Sequence, residues 1–135
     1  MGFNNLWVNW VMLCVSSVSY LIKVNNEYTS QIVPQRGLRQ GDPFSLYLFM
    51  LCVEGLSALL QKAEENGKIE GIRVARDAQK LNHLFFADDS LVLMKAKQED
   101  AVELKCILEV YERVSGQVIN KGKSLIFLAP ILTRW

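Results

Sequence analysis

A chain of 135 residues, half of them apolar, has room for about one domain with a sizeable buried core. Its 15 basic residues balance 14 acidic ones, and a net charge of +1 excludes the strongly basic profile of a freestanding nucleic-acid binder without arguing against such a partner. Cys14, Cys52 and Cys106 stand apart among apolar neighbours, with no Cys-x-x-Cys or Cys/His cluster, so they read as reduced core residues of an intracellular protein rather than as a metal or disulfide framework.

The first 22 residues carry no charged side chain, which raises a membrane segment only to reject it. The stretch from Leu6 to Ile22 is at the short end for a span and includes Asn9, Ser16, Ser17 and Ser19. No basic segment precedes it, as a signal peptide requires, and Leu6 stands where a myristoylation signal needs Ser or Thr. Within this stretch Trp7, Trp10, Val11, Cys14 and Val18 recur at helical spacing and predict a buried helix over residues 6–17. Two β-prone runs follow, Ser19 to Val24 and Tyr28 to Val33, around a turn at Asn25, Asn26 and Glu27. Pro34 ends the second run.

Asp42, a favoured N-cap, and Pro43, suited to a first helical position, open a long helix expected to run to about Asn66, with Gly67 as its stop. Its first half is apolar on nearly every face and is expected to be buried against a sheet, with Gln61 to Glu65 emerging into solvent. Leu81 to Met94 reads as strand, tight turn, strand, with Asp88 and Asp89 at the tip. Ala101, Leu104, Ile107, Leu108, Tyr111 and Val114 form a helical stripe, with Glu99 and Asp100 at its positive end and Gly116 closing it. A last strand is expected over Ser124 to Leu128. This order predicts an α+β fold, an antiparallel sheet with helices packed on one face.

Two constellations carry chemistry. In His83 to Met94 two apolar strands meet at adjacent carboxylates, and two like charges about 4 Å apart repel by about 1 kcal/mol even in water. A hard divalent cation reverses that repulsion, and Mg²⁺ is typically held by one or two carboxylates together with substrate phosphates. Aspartate is also common in turns, so the hairpin alone admits both readings. The second constellation, Arg36-Gly37-Leu38-Arg39-Gln40-Gly41-Asp42-Pro43, is a basic, glycine-bearing loop leading into a helix N-terminus. Glycine permits close approach of backbone to a ligand, helix N-termini favour phosphate, and arginines add charge-assisted contacts. Asp42 itself reads as a cap rather than a ligand.

In this order and at this separation the two constellations resemble the reverse transcriptase family, most closely that of plant non-LTR (LINE-like) retrotransposons. RGLRQGDPFSLYLF, Arg36 to Phe49, is similar to the family's template-and-nucleotide loop and following helix; FADD, Phe86 to Asp89, is similar to its metal hairpin; NKGKS, Asn120 to Ser124, is similar to its later Asn-x-x-Lys-Ser element. The resemblance implies that Asp88 ligates catalytic Mg²⁺ or Mn²⁺ with support from Asp89. It also implies that Arg36, Arg39, Gln40, Gly41 and Phe86 lie against template or incoming nucleotide, and that Lys123 sits near the triphosphate as a proton donor to the leaving pyrophosphate. A solvated lysine is the alternative reading of Lys123. RNA template, DNA primer and deoxynucleoside triphosphates are the implied partners. Phe44 and Leu46 replace the family's usual Leu and Pro.

The family uses an additional Asp on an earlier strand to hold two metals. The first Asp here is Asp42, and the only earlier acid is Glu27, in a predicted turn. The expectation is therefore a partial polymerase palm, lacking fingers and thumb, and inactive alone. A non-catalytic nucleic-acid-binding remnant using Arg36, Arg39, Lys121 and Lys123 is the second expectation. A gene-fragment product that exposes apolar surface and melts with poor cooperativity is the third.

Overall fold

The computed structural model describes residues 2–34 and 39–129. The chain divides into two units, Met1–Asp42 and Pro43–Trp135.

In the first unit, helix α1 spans Asn5–Ser16. Asn4, in an extended conformation, caps it: its side-chain oxygen accepts from the Leu6 amide at 2.8 Å, satisfying one of the donors a helix start leaves unpaired. Strands β1, Lys23–Val24, and β2, Glu27–Tyr28, form an antiparallel hairpin. Asn25 and Asn26 both have positive φ, 49° and 68°, which makes the two-residue type I′ turn matched to strand twist. An isolated bridge between Tyr20 and Ile32, with reciprocal 2.9 Å bonds, extends the hairpin across the predicted runs. Glu27 belongs to β2 and not to the turn. The helix falls where its spacing predicts, but its expected burial does not follow. No residue of α1 is buried, since two-residue strands offer too little surface to cover an apolar helix.

The second unit contains α2 (Pro43–Glu65), β3 (Ile72–Arg73), β4 (Lys80–Leu81), β5 (His83–Phe86), β6 (Asp89–Val92) and α3 (Gln98–Ser115). Helix α2 stops at a Schellman motif: Gly67, at φ 69°, donates to Glu64 O at 2.9 Å, and Lys68 donates to Ala63 O at 2.9 Å. Gly116 ends α3 in the same left-handed conformation. Leu56, Leu60 and Ala63 recur along one stripe of α2 and pack with Ile69 and with Ile107 and Tyr111 of α3, while Phe85 and Val92 cover the cluster from the β5–β6 hairpin.

The core therefore sits on the second half of α2, opposite to expectation. Phe44, Leu46, Tyr47 and Met50 of the first half are exposed. An element apolar on every face has no stripe to say which end meets a partner; α3 and β5 choose the end where the stripe is regular. By length and composition alone α2 could also cross a membrane, yet its buried face is turned to α3 and Ile69.

The chain is α+β, with small antiparallel sheets, and α2 and α3 pack with the β5–β6 hairpin. Among the described residues the strands make three separate two-stranded pairs rather than one continuous sheet. The β3–β4 pair, with Ile72 opposite Leu81 and Arg73 opposite Lys80, is an addition to the predicted elements. The expected strand at Ser124 to Leu128 is absent: the segment is irregular and Leu125 is 95% exposed, because a β-prone run without a partner leaves its backbone bonds unmade. The cysteines also depart from expectation. All three are free thiols, but Cys14 and Cys106 are exposed and Cys52 is half-buried, with burial pushing its thiol pKa up.

Candidate metal hairpin

Strands β5 and β6 pair in the register His83 to Val92, Leu84 to Leu91, Phe85 to Ser90 and Phe86 to Asp89. The connection is thus the two residues Ala87 and Asp88. Asp88 stands at the tip, and Asp89 is the first residue of β6. Ala87 has φ 50°, a left-handed conformation that costs a side chain with a Cβ roughly 1–2 kcal/mol, so the tip is held in a strained turn. Strand alternation assigns the faces. His83 and Phe85 turn toward the core, while Leu84 and Phe86 turn outward, Phe86 being 83% exposed. Directly opposed residues share a face, so Asp89 lies beside Phe86 on the outer side.

Both carboxylates are exposed, and no ion pair among the described residues engages Asp88, Asp89 or Lys123. Two adjacent, unneutralised carboxylates fit the protein's share of a Mg²⁺ site that takes its other oxygens from water and substrate. No group of three or more His, Cys, Asp and Glu side chains among the described residues could hold an ion. The hairpin is therefore a partial donor set.

Four residues that sequence reasoning passed over hold this hairpin on α2. Ser57 Oγ lies 2.9 Å from His83 Nε2, and His83 Nδ1 meets Asn82 Oδ1. Asn82 Nδ2 donates to Glu64 Oε2 at 2.7 Å and lies 3.5 Å from Leu60 O. The carboxylate of Glu64 can only accept, which orients the Asn82 amide; its oxygen then accepts from His83 Nδ1–H, and Nε2 accepts the Ser57 hydroxyl. Burial lowers the His83 pKa, opposed by the Glu54 and Glu64 charges, in keeping with a neutral ring. Glu64 also accepts from the Gly71 amide at 3.1 Å. A side chain at Gly71 would meet Glu64 Oε1 at 2.7 Å and Leu81 O at 2.8 Å, so glycine is required by close approach. The one signal in the sequence was a lone histidine at the start of the hairpin, with Ser57 and Glu64 seven residues apart on one helix face.

The other predicted residues have the following local settings. Gln40 and Gly41 form a turn closed by the Asp42 amide on Arg39 O at 3.4 Å, with Gly41 at φ 82°; Arg39 and Gln40 are exposed. Arg36 lies outside the described residues. In the NKGKS segment Asn120 Oδ1 accepts from the Gly122 and Lys123 amides at 3.1 and 3.2 Å, and Ser124 Oγ donates to Asn120 O at 2.9 Å. Asn120 and Ser124 thus shape a turn that leaves Lys121 and Lys123 in solvent.

Comparison with known proteins matches residues 2–132 to the reverse transcriptase (RNA-dependent DNA polymerase) family. The chain belongs to that family, whose members act with a nucleic-acid template, nucleotides and divalent metal. It is 50% identical over 70 residues, 52% of its length, to an uncharacterized mitochondrial protein of Arabidopsis thaliana. It is 28% identical over 123 residues, 91% of its length, to the transposon TX1 uncharacterized 149 kDa protein of Xenopus laevis. It spans 57% and 9% of the lengths of these two relatives. No solved structure matches it.

Proposed function

We propose that these residues form part of the palm of a retrotransposon-type reverse transcriptase, in which Asp88 and Asp89 hold a divalent cation for RNA-directed DNA synthesis. Family membership and the likeness to a transposon protein support the reading, and the exposed carboxylate pair at the tip of the β5–β6 hairpin carries it. Bound there, Mg²⁺ or Mn²⁺ would supply the positive charge that eases attack of a primer hydroxyl and departure of pyrophosphate. The chain's own part is to present the two carboxylates from a rigid hairpin, with the Phe86 ring beside Asp89 as a flat surface for a nucleotide. Arg36, Arg39, Gln40 and Gly41 contact template and incoming deoxynucleotide, and Lys123 approaches the triphosphate. Three free thiols suit a reducing, intracellular setting.

The 135 residues alone supply two carboxylates where the two-metal reaction calls for more. Glu27, the only acid before Asp42, opens the short exposed strand β2. The isolated chain is expected to give no primer extension on an RNA template with Mg²⁺ or Mn²⁺. Extension above background that disappears in Asp88→Ala would overturn this.

A further inference from the structure

We infer that Lys80, Lys95 and Lys97, gathered around Glu70, form a second nucleic-acid contact, a phosphate-backbone clamp separate from the metal hairpin. The three ammonium groups come from β4 and from the connection between β6 and α3, and they converge on one carboxylate. Lys80 and Lys95 share Glu70 Oε1 at 3.3 and 2.8 Å, and Lys97 reaches Oε2 at 3.3 Å. One anion cannot neutralise three cations. All three side chains remain substantially exposed, so the excess charge faces solvent.

The arrangement is built rather than incidental. Glu70 is fixed through its backbone as well: its amide donates to the buried Asp100 Oδ2 at 2.9 Å, and its carbonyl accepts from the Lys95 amide at 2.9 Å. The Lys97 amide in turn bonds Lys95 O at 2.9 Å. The same carboxylate that gathers the three ammonium groups competes with phosphate for them. Lys95 and Lys80, with Lys97, hold the Glu70 pKa at about 2, so the central carboxylate stays ionised throughout the neutral range. Arg73, paired with Lys80 across the β3–β4 ribbon and exposed, extends the positive face. Against it stand Glu99, exposed on the first turn of α3, and Asp100, which is committed to the Glu70 amide. The ligand suited to several adjacent ammonium groups is a closely spaced line of phosphates, and duplex nucleic acid carries one per about 1.7 Å of axis. No metal is needed, so the clamp stands or falls independently of the hairpin.

Binding of a fluorescent RNA–DNA duplex to the full chain in EDTA, followed between about 50 and 200 mM salt, tests this. Lys80→Gln/Lys95→Gln/Lys97→Gln is expected to weaken binding about tenfold or more and to flatten the log–log salt slope by roughly 2–3. Glu70→Gln, which removes the competing anion, is expected to tighten binding several-fold, and Lys62→Gln/Lys105→Gln to leave it unchanged. An unchanged slope in the triple variant, or an equal loss in the Lys62/Lys105 control, would refute the clamp. Displacement of the duplex by about 1 mM of a nucleoside triphosphate would reassign the cluster to free polyphosphate and refute it equally.

Discussion

Replacing Leu60 with alanine is expected to destabilise the second unit by about 2–5 kcal/mol. Leu60 is 0% exposed and lies at the centre of a cluster of six buried apolar residues. Deleting its branched end removes transfer free energy and leaves a cavity, and the surrounding helices cannot easily collapse because α2 is tied to the hairpin through Asn82. Domains of this size are stable by roughly 5–15 kcal/mol in total, so the loss is a large fraction. A fall in melting temperature of about 10–20 °C is the expected reading by circular dichroism. Phe44→Ala, in the exposed half of α2, is the contrast, and a comparable fall there would place the core elsewhere.

Asn82→Leu is expected to cost about 2–4 kcal/mol despite filling a buried site with an apolar group of similar size. The leucine would strand Glu64 Oε2 and His83 Nδ1, both now served by one amide. The same network makes stability depend on pH. The His83 pKa is lowered in the folded chain, so between its folded value and the ordinary 6.5 the unfolded chain binds more protons. Stability is then full above about pH 6.5 and falls as pH drops through the folded value. A second loss follows at lower pH, as Glu70 is protonated between its ordinary 4.5 and about 2. Urea midpoints across pH 4–7.5 read the first window; a flat profile, or one that also falls in His83→Gln, would remove His83 as its cause.

Legibility in the sequence followed the range of the interactions. Helix α3 was readable because its stripe, acidic first turn and terminal Gly116 are local features that agree. Pro43 and Gly67 marked α2, and adjacent carboxylates between apolar runs marked the hairpin tip. Strands β3 and β4 were invisible because two residues cannot show an alternation. The run at Ser124 to Leu128 had strand propensity without a partner, and propensity alone makes no ladder. The Ser57–His83 contact joins residues 26 positions apart and depends on how β5 docks on α2, which no window of sequence contains. The lysine cluster escaped for the same reason: Glu70, Lys80, Lys95 and Lys97 are spread over two connections and strand β4 and look like solvated charge until the chain folds.

Mn²⁺-induced broadening of backbone amide signals tests the assignment of metal to the Asp88–Asp89 hairpin most directly, because it reports where an ion sits without requiring activity. Substoichiometric Mn²⁺ is expected to broaden the amides of Phe86 to Ser90 first, to leave those of α3 sharp, and to have no such effect in Asp88→Asn/Asp89→Asn. Broadening centred on Glu70 and Asp100, or hairpin broadening undiminished in the double variant, would contradict it.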